Sequence, residues 1–261
     1  MKIRKTITRI ISLCFIGTCM SACLDNEQYP ELHSTMGTVC ELDGIAINSD
    51  VYGKLIPNNP EIITRNDADS VGQRVLLNVN FPDTENKNSK ENSGKEVTIY
   101  YLYKVLTKKA DDMRVSASGN IDKFGNDPIQ VTNAYISDEH LNLEFNITGY
   151  NETTPHRISL LLTENTGIDN EGFINVELRH NSNSDYGDRL YWGVVSFTLS
   201  SIPEYDNENV KGFKISYQSA TNTKSEIKVS KQTSNQDSNV RSMKSTQEIG
   251  YGHSLLSGQL Q

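Results

Sequence analysis

Leu141-Asn142-Leu143-Glu144-Phe145-Asn146-Ile147 alternates apolar and polar side chains without a break. A strand turns successive side chains to opposite faces. Leu141, Leu143, Phe145 and Ile147 therefore share one face, and Asn142, Glu144 and Asn146 share the other. Strict period two predicts one buried face and one wet face. The pattern recurs downstream, in Ile158, Leu160 and Leu162, and in Ile174, Val176 and Leu178 alternating with Asn175, Glu177 and Arg179. Phe213, Ile215 and Tyr217, then Ile227 and Val229, continue it. Residues 190–199 hold Leu190, Trp192 and Val194 in one phase and Val195, Phe197 and Leu199 in the other. Either a bulge switches the phase at Val194-Val195 or both faces are covered. With residues 129–136 this gives seven short antiparallel strands within 129–231, the pattern of a two-sheet sandwich.

Upstream, residues 36–110 form a second β-rich block. Val75, Leu77, Val79 and Phe81 share one face. Val97, Ile99, Tyr101, Tyr103 and Val105 share a face of the next strand, and Tyr100, Leu102 and Leu106 line its other side. Apolar residues on both faces of one long strand fit a strand that curls through a small barrel, or one covered on both sides. About five strands fit the block, as in a small barrel or partly open sandwich. Residues 82–94 read as a solvated loop and Asn58-Asn59-Pro60 as a turn. Residues 111–128 read as a linker ending in the turn residues Gly125-Asn126-Asp127-Pro128. No convincing 3.6-residue apolar stripe occurs beyond the leader.

The leader is residues 1–22. Lys2, Arg4, Lys5 and Arg9 precede an apolar run of about 11 residues, too short to span a membrane. Ser21 and Ala22 then precede Cys23. This is the export and lipidation pattern of a bacterial lipoprotein, with Cys23 as the lipid anchor. Residues 23–35 read as a lipidated tether. Residues 232–261, rich in Ser, Asn, Gln and Thr, read as a disordered polar tail, with Ile249-Gly250-Tyr251 and Leu255-Leu256 as weak docking points. Without the leader, 21 Lys and Arg face 33 Asp and Glu, a formal charge of −12. Such acidity disfavours a nucleic-acid partner. Cys14 and Cys19 leave with the leader and Cys23 carries lipid. Cys40 has no intrachain partner and reads as a buried core cysteine.

Reactive constellations are weak. His33, His140, His156, His180 and His253 are far apart in sequence and read as solvent or packing residues. Residues 165–172 and Asp185-Tyr186-Gly187-Asp188 offer oxygen ligands, but without calcium-loop spacing, and Asn, Asp and Gly suit turns on their own account. There is no nucleophile elbow, phosphate loop or dinucleotide fingerprint. No catalytic, cofactor or metal residue is therefore assigned. Tyr100, Tyr101 and Tyr103, and Tyr186, Tyr191 and Trp192, form two aromatic clusters suited to packing or to a carbohydrate- or protein-facing patch.

Several segments resemble the NigD-like lipoproteins of Bacteroides and related Bacteroidota. They are Gly72-Gln73-Arg74-Val75, residues 97–107, Gly125-Asn126-Asp127-Pro128, Leu141-Asn142-Leu143-Glu144-Phe145, Val176-Glu177-Leu178-Arg179-His180-Asn181, residues 194–199 and Phe213-Lys214-Ile215. The resemblance spans residues 36–231 and implies an OB-like barrel followed by a β-sandwich. The expected fold is all-β: a small N-terminal OB-like barrel, then a C-terminal seven-stranded immunoglobulin-like sandwich. The resemblance carries no established catalytic or binding residues. Glu177, Arg179, His180 and Asn181 form its most recognisable polar motif, a strand-end fastening or a weak ligand site. The family takes its name from a gene in a bacteriocin operon, with a proposed immunity role. The expectation is a non-enzymatic outer-membrane lipoprotein that binds an envelope protein, a toxin or a glycan, facing either the periplasm or the cell surface. Bacteriocin immunity is the alternative, with a metal-dependent or glycan-acting enzyme behind it.

Overall fold

The computed structural model describes residues 30–41, 45–82, 94–114, 120–151, 153–231, 254–255 and 260–261. The leader, Cys23, the first part of the tether, nearly all of the 82–94 loop, His253 and most of the polar tail lie outside the described residues.

Residues 33–104 form a closed five-stranded barrel. Its strands are β1 (His33–Glu41), β2 (Ala46–Ser49), β3 (Gly53–Pro57), β4 (Arg74–Asn80) and β5 (Lys95–Lys104), in the order β1-β2-β3-β5-β4 with β4 returning to β1. Only β3 and β5 run parallel. A single helical turn, α1 (Glu61–Arg65), joins β3 to β4 and places Ile63 in the barrel core. This is an OB-like barrel. Sequence periodicity misses α1 because five residues are too few to display a 3.6-residue stripe. Val39, Ile47, Leu55, Val75, Leu77, Val79, Val97, Ile99 and Leu102 fill the interior.

The aromatic strand departs from its expected phase. A register shift lies between Asn78 and Val79 of β4, opposite Tyr101 and Ile99 of β5. The extra residue lets Ile99 and Leu102 both face inward and turns Tyr100 and Tyr101 to solvent. Apolar residues on both faces of β5 thus report a bulge. A second register shift at Cys40 in β1 leaves that cysteine half-buried at the barrel edge, where a core position was expected.

Strands form at all seven positions expected within 129–231: β8 (Gln130–Ile136), β9 (His140–Gly149), β10 (Arg157–Leu162), β11 (Phe173–Asn181), β12 (Arg189–Thr198), β13 (Gly212–Ala220) and β14 (Thr223–Ser230). One sheet runs β14-β13-β11-β10 and the other β12-β9-β8. Three short strands extend them. β6 (Leu106–Lys109) and β15 (Ser254–Leu255) lie along β12, and β7 (Asp111–Asp112) lies along β10, all parallel to their hosts. The sheets are therefore mixed, which departs from the expected run of antiparallel strands. β11 and β13 are also parallel. The chain crosses to the opposite sheet as β12 between them and returns in the direction it left.

The barrel sits on the outer face of β9 and β12. Met36, Leu76, Val105 and Val194 form a separate apolar cluster there, flanked by Tyr103, Tyr135 and Trp192. This resolves the two phases of β12. Its register with β9 is unbroken from Arg189 to Thr198, so there is no bulge. Tyr191, Val195 and Phe197 enter the sandwich core while Val194 meets the barrel. The expected wet face of β9 is corrected for the same reason, since Asn142 and Glu144 are buried.

Candidate functional site

The inward phase of β11 carries Ile174, Val176, Leu178 and finally His180, so a histidine takes the last core position of the strand. His180 Nδ1 lies 2.9 Å from the Pro128 carbonyl oxygen. A carbonyl only accepts, so Nδ1 carries the proton. Burial, reinforced by neighbouring His156 and opposed by the bond to Pro128, lowers the His180 pKa to about 4. Neutral His180 then presents Nε2 as an acceptor to His156 Nδ1, 2.8 Å away. The two ring planes lie 15° from parallel with centroids 5.1 Å apart, the edge-to-edge arrangement of an in-plane bond between ring nitrogens. His156 Nε2 faces Asp185 Oδ2 at 3.2 Å, which extends the line of contacts to Pro128–His180–His156–Asp185. Burial would raise the Asp185 pKa. Hydrogen bonds from His156 and from the amides of Asn151 and Tyr150 outweigh it, and the net shift is downward. Sequence distance hid this pairing, because the three residues come from a strand start, a strand end and a loop.

These contacts fasten two loops, Gly149-Tyr150-Asn151 and residues 182–188, at the end of β9 away from the barrel contacts of Asn142. Asp185 holds the first loop by its backbone amides. Gly187 permits the closest approach, since a Cβ there would lie 2.3 Å from the Gly149 carbonyl oxygen. Asn183 and Ser184 adopt positive φ, and Asn183 donates to the Pro155 carbonyl. Tyr150 and Tyr186 stand on these loops 78% and 75% exposed, with Leu190 beside them at 58%. Large exposed side chains on fastened backbone are the features of a binding surface. The Tyr186, Tyr191 and Trp192 cluster read from sequence is divided: Tyr186 faces solvent, Tyr191 is in the core and Trp192 packs under the barrel.

The other motif residues bind the preceding segment to the strand end. Arg179 pairs with Glu177 at 2.9 Å and donates to the Gly125 carbonyl. Asn181 donates to the Lys123 carbonyl. Asp127 accepts from the Ser182 amide and hydroxyl. Glu177, Arg179, His180 and Asn181 thus draw residues 123–128 and the loop 182–188 together.

At the opposite end of β9, a cleft of about 610 Å³ separates barrel from sandwich, lined among others by Cys40, Asp50, Tyr135, Asp138, Glu139 and Lys231. Beside it, Arg74 of β4 is fully buried and grips Asp50 through both terminal nitrogens, at 2.8 and 2.5 Å. It also donates to Thr38 and to Asn142 of β9, and Tyr135 donates to Asp50. Burial works against the charge of Arg74, but the bonds to Asp50 prevail and raise its pKa. His140, buried nearby, is held to about 4 by burial and by Arg74. Sequence reasoning missed this network. Its one signal is Arg74 itself, a charge embedded in an apolar strand.

The proposed oxygen-ligand loops have other partners. Asp169 pairs with Lys214 and accepts from the amides of Glu171 and Phe173, and Glu171 pairs with Lys228. Among the described residues, no group of three His, Cys, Asp or Glu is arranged to hold a metal.

Residues 113–231 match the NigD-like C-terminal beta sandwich domain. No curated protein matches the chain. A solved protein of unknown function (DUF1344) from Bacteroides vulgatus shares the fold at TM-score 0.59 and 20% identity, over 78% of this chain and 93% of its own. A putative toxin related protein from Parabacteroides distasonis does so at 0.56 and 24%, over 76% and 92%. A NigD-like immunity protein from Bacteroides caccae aligns more loosely, at 0.48 and 16% over 76% and 92%, too distant to add to the fold assignment.

Proposed function

We propose that the chain is a non-enzymatic envelope lipoprotein, anchored through Cys23 at the outer membrane, that acts by binding a protein partner, and that the partner is a toxin against which it confers immunity. The observation that carries this reading is the pair of tyrosine-bearing loops fastened by His156, His180 and Asp185. Gly149-Tyr150-Asn151 and Asn181-Ser182-Asn183-Ser184-Asp185-Tyr186-Gly187 are rich in the Tyr, Ser, Gly and Asn that make adaptable, low-entropy protein contacts. Loops held in place beforehand lose less freedom on binding. The acidic mature chain favours encounter with a basic partner. The similarity of residues 113–231 to a NigD-like domain supports the immunity form of the reading.

The test is a protection assay. A sensitive strain expressing the full chain is challenged with bacteriocin-containing medium from related bacteria, beside strains carrying Cys23→Ala or the double variant Tyr150→Ala/Tyr186→Ala. Protection should appear with the wild-type chain and fall about 10- to 100-fold with the tyrosine pair, the scale of losing two contact anchors. Loss with Cys23→Ala would locate the action at the membrane. Equal survival with and without the expressed wild-type chain sinks the immunity reading. Saturable binding on a glycan array that depends on Tyr150 and Tyr186 would replace the protein partner with a sugar.

A further inference from the structure

The two sheets leave their outer edges, β12 and β10, on the same side of the sandwich, and two segments close that side. The first is continuous with the barrel. Its β6 pairs with Val195–Thr198 of β12 and its β7 with Leu161–Leu162 of β10. Lys108 adds a bond to the Ile158 carbonyl. The second comes from the C-terminal end of the chain. Ser254 and Leu255 pair with Trp192 and Gly193 of β12. Leu260 forms a parallel bridge with His156 at the start of β10. Gln261 donates its amide to the His156 carbonyl and accepts from the Ile158 amide, both at 2.9 Å. Leu260 is 5% exposed and belongs to the main sandwich core. The carbonyl that the Gln261 amide meets belongs to His156, so this segment lies beside the fastened loops.

The two closures differ in strength. The first follows directly from β5 and carries four paired residues on β12. The second is joined to β14 through the 23 mostly polar residues 231–253, and bringing together the ends of so long a connection costs entropy. Among the described residues it holds two pairs on β12, one bridge on β10 and the buried Leu260. An unpaired strand edge with an apolar socket is what extended peptides add to.

We propose that the edge groove formed by residues 190–193 of β12 and 156–158 of β10 is a strand-accepting site for an extended peptide that places an apolar side chain in the Leu260 socket, and that the chain's own C-terminal segment fills it at rest. The site takes a partner as a strand, by backbone bonds plus one side-chain anchor, and does not depend on the loop reading above.

The test uses the full chain with a protease site inserted after Asp237. The folded protein is cut, and a labelled peptide with the sequence of residues 250–261 is titrated into it. Saturable binding is expected, with competition by the unlabelled peptide. A peptide carrying Leu260→Asp should bind at least about 30-fold more weakly. The uncut chain should bind the labelled peptide at least about tenfold more weakly than the cut chain, because its own segment competes at roughly millimolar effective concentration. No saturable binding to the folded cut protein at about 1 mM peptide, the scale of that effective concentration, or equal binding of the Leu260→Asp peptide, overturns the proposal. Should cutting unfold the protein, hydrogen exchange on the intact Leu260→Asp chain replaces it. The Ile158 amide should lose protection there and regain it with added wild-type peptide. Unchanged protection, or no recovery, overturns the proposal equally.

Discussion

A histidine at the end of an apolar strand face is the smallest unit from which the fastened loop end of the sandwich is built. His180 and His140 are both held at about 4 in the fold, against about 6.5 in an unfolded chain. Between those values the unfolded chain takes up protons that the folded chain refuses. Their stabilisation is therefore present above pH 6.5, declines as pH falls and is lost by about pH 4. Each contributes on the order of 3 kcal/mol over that window. Urea midpoints should fall between pH 7 and 4.5, and His140→Asn should remove about half of the slope. A flat midpoint across that range would refute the assignment. Asp185 offers a second test. Asp185→Asn keeps the size of the side chain but removes the charge that meets His156 and two amides. It should lower stability by about 2–3 kcal/mol. It should also speed exchange of the Tyr150 and Asn151 amides before any other region, read by hydrogen-exchange mass spectrometry.

Among the elements, the strands were legible and the irregularities between them were not. Alternation in 141–147 and 174–178 announces β9 and β11 because side-chain period is a local property of extended backbone. Bulges have no comparable local signature, so Tyr101 was expected on the same face as Ile99 and instead faces solvent. The turn at Gly125-Asn126-Asp127-Pro128 was visible in composition, and its geometry explains the glycine. Gly125 has φ +67°, and a Cβ there would lie 2.6 Å from the His180 carbonyl oxygen. Gly125→Ala should cost about 1–3 kcal/mol through strain and through displacement of the strand end. A thermal melt with an unshifted midpoint would contradict this. The Glu177–Asn181 motif was legible as a pattern, whereas the partners that give it meaning, Lys123, Gly125 and Pro128, were visible only in three dimensions.

Across the whole molecule, one buried ion pair marks where barrel and sandwich meet. Arg74 and Asp50 come from the barrel, and Asn142 and Tyr135 from the sandwich. Arg74→Met leaves a nearly buried carboxylate without its cation, which should destabilise by about 3–5 kcal/mol. Replacing both partners, as Arg74→Met with Asp50→Leu, should recover much of that loss, because an apolar pair carries no desolvation penalty. Calorimetry should show one transition for the wild-type chain and a separate, lower barrel transition for the single variant. Equal destabilisation by the single and double variants would show that the charge pair is not what matters at the joint.

The order of apolar and polar residues was sufficient by itself to determine an all-β chain, seven sandwich strands and a separate N-terminal β-block, because strand periodicity is written along the chain. It also places acidic charge and a candidate lipid anchor. Only tertiary structure decided which polar positions are wet. Asn142 and Glu144 have the sequence signature of solvent-facing residues and are buried because the barrel lies over that face of β9. It alone joined His156, His180 and Asp185, and it alone set Tyr186 apart from Tyr191. Those outcomes depend on contacts between residues remote in sequence, and local periodicity carries no information about which surfaces meet.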